Sequence, residues 1–239
     1  MFFSDEVGIV FEAFSLLHIL LFILIIAGII LIYLFRKKIR VLKNERKIAM
    51  GIAGFAFFWE IGLYVWKIAH GAREWNELLP IGLCAFTLFV GIFALFFKKY
   101  SLFEIGYFWT WGALASVLFP DISYSIDRYR FYQYMIGHMS FFFMYIYMIF
   151  VYKWYPTWKS WRKSVITLVT ITIVLIIISN LTGKNLMFML ESEGSPFSIF
   201  EGYGYAVYLA GAISLSFIIV TVWYLPFLFL NKRLNKTKS

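Results

Sequence analysis

Seven apolar runs order this chain, at residues 9–35, 48–69, 81–97, 102–119, 131–151, 165–181 and 205–230. Each holds about 17–27 residues, the length at which an α-helix crosses a hydrocarbon core about 30 Å thick. The pattern predicts an all-α polytopic membrane protein with seven transmembrane helices in one bundle. The longest polar connection is about 20 residues, so the whole chain, 1–239, reads as a single transmembrane domain.

Charge gives the expected bundle a direction. Segments 36–47, 98–101, 152–164 and 231–239 hold 17 of the 22 Lys and Arg residues. The opposite connections and helix ends hold Lys67, Arg73, Arg128, Arg130 and Lys184. The positive-inside rule then puts the N-terminus outside and the C-terminus in the cytoplasm, in a bacterial-type cell membrane. Composition agrees: 62% hydrophobic and 15% charged residues, with a mean hydropathy of +0.79, against about 25% charged in soluble domains. The flank Ser4-Asp5-Glu6 is acidic and the first run too long for a leader's apolar region, so a membrane span is expected there.

The basic segments 36–40 and 232–236 raise the question of RNA or a docking protein. Topology and anionic lipid headgroups account for them, and no nucleic-acid partner is expected. The aromatic and basic stretch Lys153–Lys159 reads as an interfacial belt. No strong internal repeat appears, and the paired broken helices of many transporters are not evident.

Against this apolar background the polar side chains inside the runs stand out. Ionisable groups at membrane depth mark functional sites by default. His18 lies roughly 14 Å below the outer boundary of its run, Glu60 at a similar depth, and His138 roughly 10 Å in. Glu60, Tyr64 and Lys67 follow an i, i+4, i+7 spacing and share one helix face. Tyr134, His138 and Tyr145 lie near one stripe of the fifth run, which Arg130 opens. Cys84 is placed at the mouth of the third run, Asn180 near the outer end of the sixth, and Asn185 in the connection that follows. The outer connections add Asp121, Asp127, Glu191, Glu193 and Glu201. The expectation is that His18, Glu60 and His138 converge on one pocket in the outer half. Plainer readings are a Glu60–Lys67 ion pair and hydrogen-bonded structural histidines.

Several chemistries are excluded by motif. There is no Walker A sequence, no Gly-x-Gly-x-x-Gly, no His-Glu-x-x-His and no His-x-x-x-His pair. The seventh run lacks a lysine for a retinal Schiff base. One cysteine allows no intrachain disulfide, and neither metal nor cofactor is expected.

An ordered set of short pieces resembles the YwaF-type integral membrane proteins of Firmicutes and spirochaetes. The pieces are His18, Trp59-Glu60-x-x-Leu63-Tyr64-x-Trp66, Leu79-Pro80-x-x-Leu83-Cys84 and Trp111-Gly112-Ala113-Leu114 leading to Phe119-Pro120-Asp121. They continue through Arg130-Phe131, His138, Asn180, Gly183-x-Asn185-x-Met187 and Leu225-Pro226-Phe227. That family is similar to a eukaryotic multispanning acyltransferase family that moves fatty acyl chains into ether phospholipids through a cysteine and a histidine. The resemblance matches the histidine to His138 in Ile136-Gly137-His138-Met139. The cysteine fits less closely, because Gly82 stands where the bacterial pattern has a histidine before Leu-Cys.

The implied activity is acyl transfer on a phospholipid or other lipid near the outer leaflet. His138 would be the general base and Cys84 the nucleophile, with His18 and Glu60 orienting the base. Arg130, Lys67, Tyr64 and Tyr134 would contact substrate, and Asn180 or Asn185 would donate to an oxyanion. The rival expectation is a small transporter, flippase or lipid-binding protein using the same residues as a proton relay or headgroup site. A noncatalytic subunit of a larger complex is a third.

Overall fold

The computed structural model describes residues 1–192 and 195–236, with backbone alone at 196 and over 229–236. Glu193 and Lys238 lie outside the described residues, and the basic side chains of 232–236 are likewise undescribed. The described chain is helical: α1 (Leu16–Val41), α2 (Glu45–Ala69), α3 (Trp75–Leu78), α4 (Leu83–Phe97), α5 (Tyr100–Gly106), α6 (Thr110–Leu118), α7 (Tyr129–Phe150), α8 (Trp158–Thr182) and α9 (Tyr205–Lys236). Each predicted run falls on one of these helices, the fourth on the pair α5 and α6.

Several boundaries move for local reasons. α1 begins at Leu16 rather than residue 9, because Ser15 caps it by accepting the His18 N–H. Residues before it lie across the connection 121–129. Val10 bridges Tyr124, and the Phe11 N–H donates to the Ser123 carbonyl at 3.2 Å. α8 begins at Trp158 rather than 165, started by a reciprocal cap between Thr157 and Ser160. It ends at Gly183, whose φ of +68° is the left-handed conformation a helix stop favours.

The fourth run is interrupted by a 3-10 turn, Tyr107–Trp109. A break inside a buried apolar helix is stable only where the freed backbone groups find protein partners. Here the Thr110 hydroxyl donates to the Tyr107 carbonyl at 2.6 Å and the Ser164 hydroxyl of α8 to the Ile105 carbonyl at 2.8 Å. The Trp223 indole of α9 donates to the Thr110 oxygen at 3.3 Å.

Among the described residues, four helices are long and apolar enough to cross a membrane: α1, α2, α8 and α9 as far as Leu228. Only 11–17% of their apolar windows is buried inside the protein. α7 is more polar, yet half of it is buried, and it packs against α1, α2, α4 and α6. Lipid tails are as apolar as leucine, so the greasiest helices face outward while the helix carrying Gln133, His138 and several tyrosines is shielded by its neighbours. Close packing around α7 needs small partners. A Cβ at Gly106 of α5 would stand 1.9 Å from the Tyr145 hydroxyl oxygen, and one at Gly91 of α4 would meet the same ring at 2.8 Å.

At one end of the bundle, arginines close helix termini. Arg40 donates from Nε to the Val151 carbonyl and from Nη2 to the Phe150 carbonyl, at 2.9 and 2.8 Å. Arg46 donates to the Leu95 carbonyl at the end of α4. Cations suit helix C-termini, where unpaired carbonyls carry partial negative charge.

Candidate functional site

The last turn of α6 is where α1, α4 and α7 meet, and Pro120 is the reason. In a continuing helix the N–H of residue 120 would donate to the Ser116 carbonyl, but proline has none. The Tyr134 hydroxyl of α7 takes that place, donating to the Ser116 carbonyl at 3.2 Å. The next carbonyl, Val117, accepts from His18 Nε2 of α1 at 2.7 Å. The Ser116 hydroxyl lies 4.0 Å from Cys84 Sγ of α4. Cys84 is the second residue of α4, after Gly82 at the cap, and so sits in the helix's first turn.

His138 follows Tyr134 by one turn, their rings 4.4 Å apart at centroid, with Phe141 at 5.4 Å beyond. Its Nδ1 lies 2.7 Å from the Tyr134 carbonyl oxygen. A carbonyl only accepts, so Nδ1 carries the hydrogen and Nε2 keeps the lone pair. Among the described residues nothing hydrogen-bonds Nε2 of His138.

His18 has the opposite arrangement. Its Nδ1 accepts the Phe14 N–H at 2.8 Å, which forces the hydrogen onto Nε2, where Val117 receives it. The residue is fully buried among Phe11, Phe14 and Phe22. Both nitrogens are committed, and the ring joins α1 to α6 rather than facing the charged residues around Arg130.

Those charged residues form a second group, toward the C-terminal end of α2 and the N-terminal end of α7. Arg130 stands two turns before His138, its guanidinium 5.6 Å from the centre of the Trp66 ring and donating to the Gln133 side chain. Gln133 in turn reaches the Trp59 carbonyl at 3.5 Å. Glu60 lies within hydrogen-bonding reach of the Tyr64 hydroxyl and in the electrostatic field of Lys67 and Arg130. It also lies within range of Cys84, and Arg130 within range of His138, so the group adjoins the α6 terminus. Lys67 and Glu60 do not meet as an ion pair. Lys67 Nζ donates to the Glu77 carbonyl at 2.9 Å and lies 5.6 Å from the centre of the Tyr64 ring.

Asn180 and Asn185 are placed elsewhere. Asn180 is exposed and donates to the Ile176 carbonyl and the Tyr205 hydroxyl, joining α8 to α9. Asn185 shapes the connection 183–192, its oxygen accepting from the Leu190 and Glu191 N–H groups and its amide donating to the Glu191 carbonyl. Both amide donors of Asn180 are already used, and one of the two of Asn185. Among the described residues no cluster of His, Cys, Asp and Glu has the grouping of a metal site. A groove of about 340 Å³ between α2 and α7, lined by Ile48, Gly51, Ile52, Phe55, Ser140 and Phe143, is apolar and offers no titratable group.

Ser116, Gln133 and the role of Pro120 escape a reading of ionisable residues alone. For Ser116 the signal is a proline just past a helix end, which predicts an orphaned carbonyl four residues earlier.

Residues 13–225 match the TMEM164 family. An uncharacterized protein of Treponema pallidum (strain Nichols) is 27% identical over 99 residues, 41% of this chain and 41% of that relative, so the match spans well under two thirds of the relative's length. No solved structure matches the chain.

Proposed function

The chain belongs to the TMEM164 family, and from that premise we propose that it is a membrane-embedded acyltransferase acting on lipids near the outer leaflet. In this reading all seven runs cross the cell membrane, with the N-terminus outside and the C-terminus in the cytoplasm. The charge bias between alternate connections supports that direction.

The observation that carries the reading is the tautomer of His138. With Nδ1–H spent on the Tyr134 carbonyl, Nε2 faces outward from that bond as an acceptor, beside Tyr134 and within range of Arg130. Nε2 takes the proton of an acceptor hydroxyl or amine as that atom attacks the ester carbonyl of the donor lipid. The donor's alkoxide leaves and recovers the proton from Nε2. The acyl chain changes lipid, no redox change occurs, and no soluble cofactor is needed.

Cys84 has no hydrogen bond to His138 and faces the Ser116 hydroxyl, which favours this direct transfer over an acyl-cysteine intermediate. His18 and Tyr134 act through position, fixing the α6 terminus that the site rests on. Glu60, Tyr64, Lys67 and Arg130 are assigned to the headgroup.

A transporter or flippase is the second reading. The mutual fields of Glu60, Lys67 and Arg130 favour it, because such a set also suits a proton relay. Purified protein in detergent micelles, given phospholipid with a labelled acyl chain, separates the two. Label appearing in a second lipid, and lost in His138→Ala, supports acyl transfer. Unmoved label, with headgroup or proton flux in reconstituted vesicles, supports transport.

A further inference from the structure

The chain ahead of α1 lies as a strap across the C-terminal end of α2 and the N-terminal end of α7, and its two halves are held differently. Residues 8–11 are pinned. The Ile9 N–H donates to Asp127 Oδ2 and the Phe11 N–H to the Ser123 carbonyl, both at 3.2 Å, and Val10 bridges Tyr124. The Phe11 ring is buried against Phe131 and His18. Gly8 approaches so closely that a Cβ there would stand 2.0 Å from Asp127 Oδ2. Residues 1–7 have no such wedge. All but Ser4 are exposed, and their bonds to the bundle run through carbonyls. Phe2 accepts the Tyr129 N–H, Phe3 the Trp66 indole N–H, Asp5 the Tyr124 hydroxyl and Glu6 the Arg128 Nε–H, at 2.8–3.0 Å.

The groups under residues 1–7 are those around Arg130. The Trp66 indole that bonds Phe3 has the Arg130 guanidinium 5.6 Å from its ring centre and the Tyr124 ring edge-on at 6.2 Å. On α7, Arg130 stands between Tyr129, which packs on the Phe3 ring at 5.2 Å, and Tyr132, which packs on the Phe2 ring at 5.8 Å. Arg130 is half-buried, and its fork keeps donors beyond the one spent on Gln133. A segment with few buried apolar contacts and exposed hydrogen bonds opens locally at small cost, whereas the pinned half moves only if Phe11 leaves the core. Gly8 marks the boundary between the halves, and a glycine absorbs the backbone change that a hinge requires.

We propose that residues 1–7 are a lid, hinged at Gly8, that closes over Arg130 and lifts to admit the anionic group Arg130 binds. Four carbonyl bonds and the Phe2 and Phe3 rings hold the lid shut. Opening hands those donors to water, frees the edge of Trp66 and uncovers the guanidinium. It leaves α1 undisturbed, because Phe11 and the Ser15 cap stay in place. What the lid admits rests on the assignment of Arg130 to the headgroup, whereas closure over Arg130 concerns access alone and is measured without turnover.

The test uses the full-length protein in detergent micelles and reads one opening equilibrium in two ways. Tyr129 is the first residue of α7, so its N–H has no partner within the helix, and its protection against hydrogen exchange reports the bond to Phe2. Phenylglyoxal, which modifies accessible guanidinium groups, is followed by mass spectrometry at Arg130, with exposed Arg73 as the reference. In the parent, Tyr129 is expected to be protected, though less than amides in the middle of α7, and Arg130 to react more slowly than Arg73. Tyr124→Phe removes the bond to Asp5 and keeps the ring beside Trp66. It is expected to lower Tyr129 protection and to speed Arg130 modification, each about fivefold, as loss of one hydrogen bond implies. Phe2→Ala combined with Phe3→Ala, at exposed positions, is expected to do the same by at least about fivefold. Arg73 should not change, and variants are compared at matched thermal unfolding. Arg130 modification unmoved in both variants overturns the proposal, whether or not Tyr129 protection falls. So does Tyr129 protection equal to that of the α7 interior, or Arg130 reacting as fast as Arg73 in the parent. His138→Ala separates the lid from the acyl-transfer reading: lost transfer with both readouts unchanged leaves both standing. Absent transfer in the parent with both readouts as expected sinks only the acyl-transfer reading.

Discussion

Replacing His18 by leucine tests whether this buried histidine is a clamp. The substitution keeps size and apolar contact with Phe11, Phe14 and Phe22 but removes both hydrogen bonds. Val117 is buried, so its carbonyl would lose its partner with no water to replace it. An unsatisfied buried group costs about 1–3 kcal/mol. Phe14 is exposed, so its N–H would find solvent or lipid headgroups and add little. The expected loss is therefore about 2 kcal/mol, which for a chain of this size lowers the unfolding midpoint by about 4–8 °C. Tryptophan fluorescence during a thermal ramp in detergent would measure it. His18→Gln, whose amide offers a donor toward Val117, should recover part of the loss. Combined with Tyr134→Phe, which frees the neighbouring Ser116 carbonyl, the costs should be non-additive, because both bonds close the same helix turn. A midpoint for His18→Leu within about 1 °C of the parent would refute the clamp, as would lost acyl transfer without lost stability.

Three further outcomes follow from the packing and the loops. Gly106→Ala should destabilise the protein by about 1–3 kcal/mol, because the new methyl collides with the Tyr145 hydroxyl; Tyr145→Phe in the same chain should relieve part of this in the same thermal ramp. Arg40→Ala should cost about 1.5–3 kcal/mol by freeing the Phe150 and Val151 carbonyls, and Arg40→Lys should not restore a two-pronged cap. Backbone N–H groups of Glu74 and Arg73 hold the Glu77 carboxyl below its ordinary value of 4.5. A depressed carboxyl stabilises its loop above the unfolded value and stops doing so as pH falls through the folded one. Protection of the Arg73 and Glu74 amides against hydrogen exchange, relative to the free-peptide rate at the same pH, should therefore be present near neutrality and be lost below about pH 4.5. Unchanged protection at low pH would show that another bond holds the turn.

What one strand of sequence determined is chiefly what the solvent demands of it. Each of the seven apolar runs emerged largely as helix, the form in which an apolar stretch satisfies its backbone hydrogen bonds within itself. Helix ends written in local chemistry, such as the Thr157 cap and Gly183, were likewise legible in principle from neighbouring residues. The shared face of Glu60, Tyr64 and Lys67 was visible from helical spacing, and a resemblance to a membrane-protein family lay in the ordered short motifs. Tertiary structure decided which polar groups meet. His18 and His138 looked alike in the chain, two imidazoles at similar depth. They received opposite tautomers because one is offered an N–H by Phe14 and the other a carbonyl by Tyr134. Glu60 and Lys67 share a face yet do not pair, since the Glu77 carbonyl from another segment claims the ammonium. Spacing along one helix fixes direction only; the partner a side chain finds depends on what a distant segment brings to the same place.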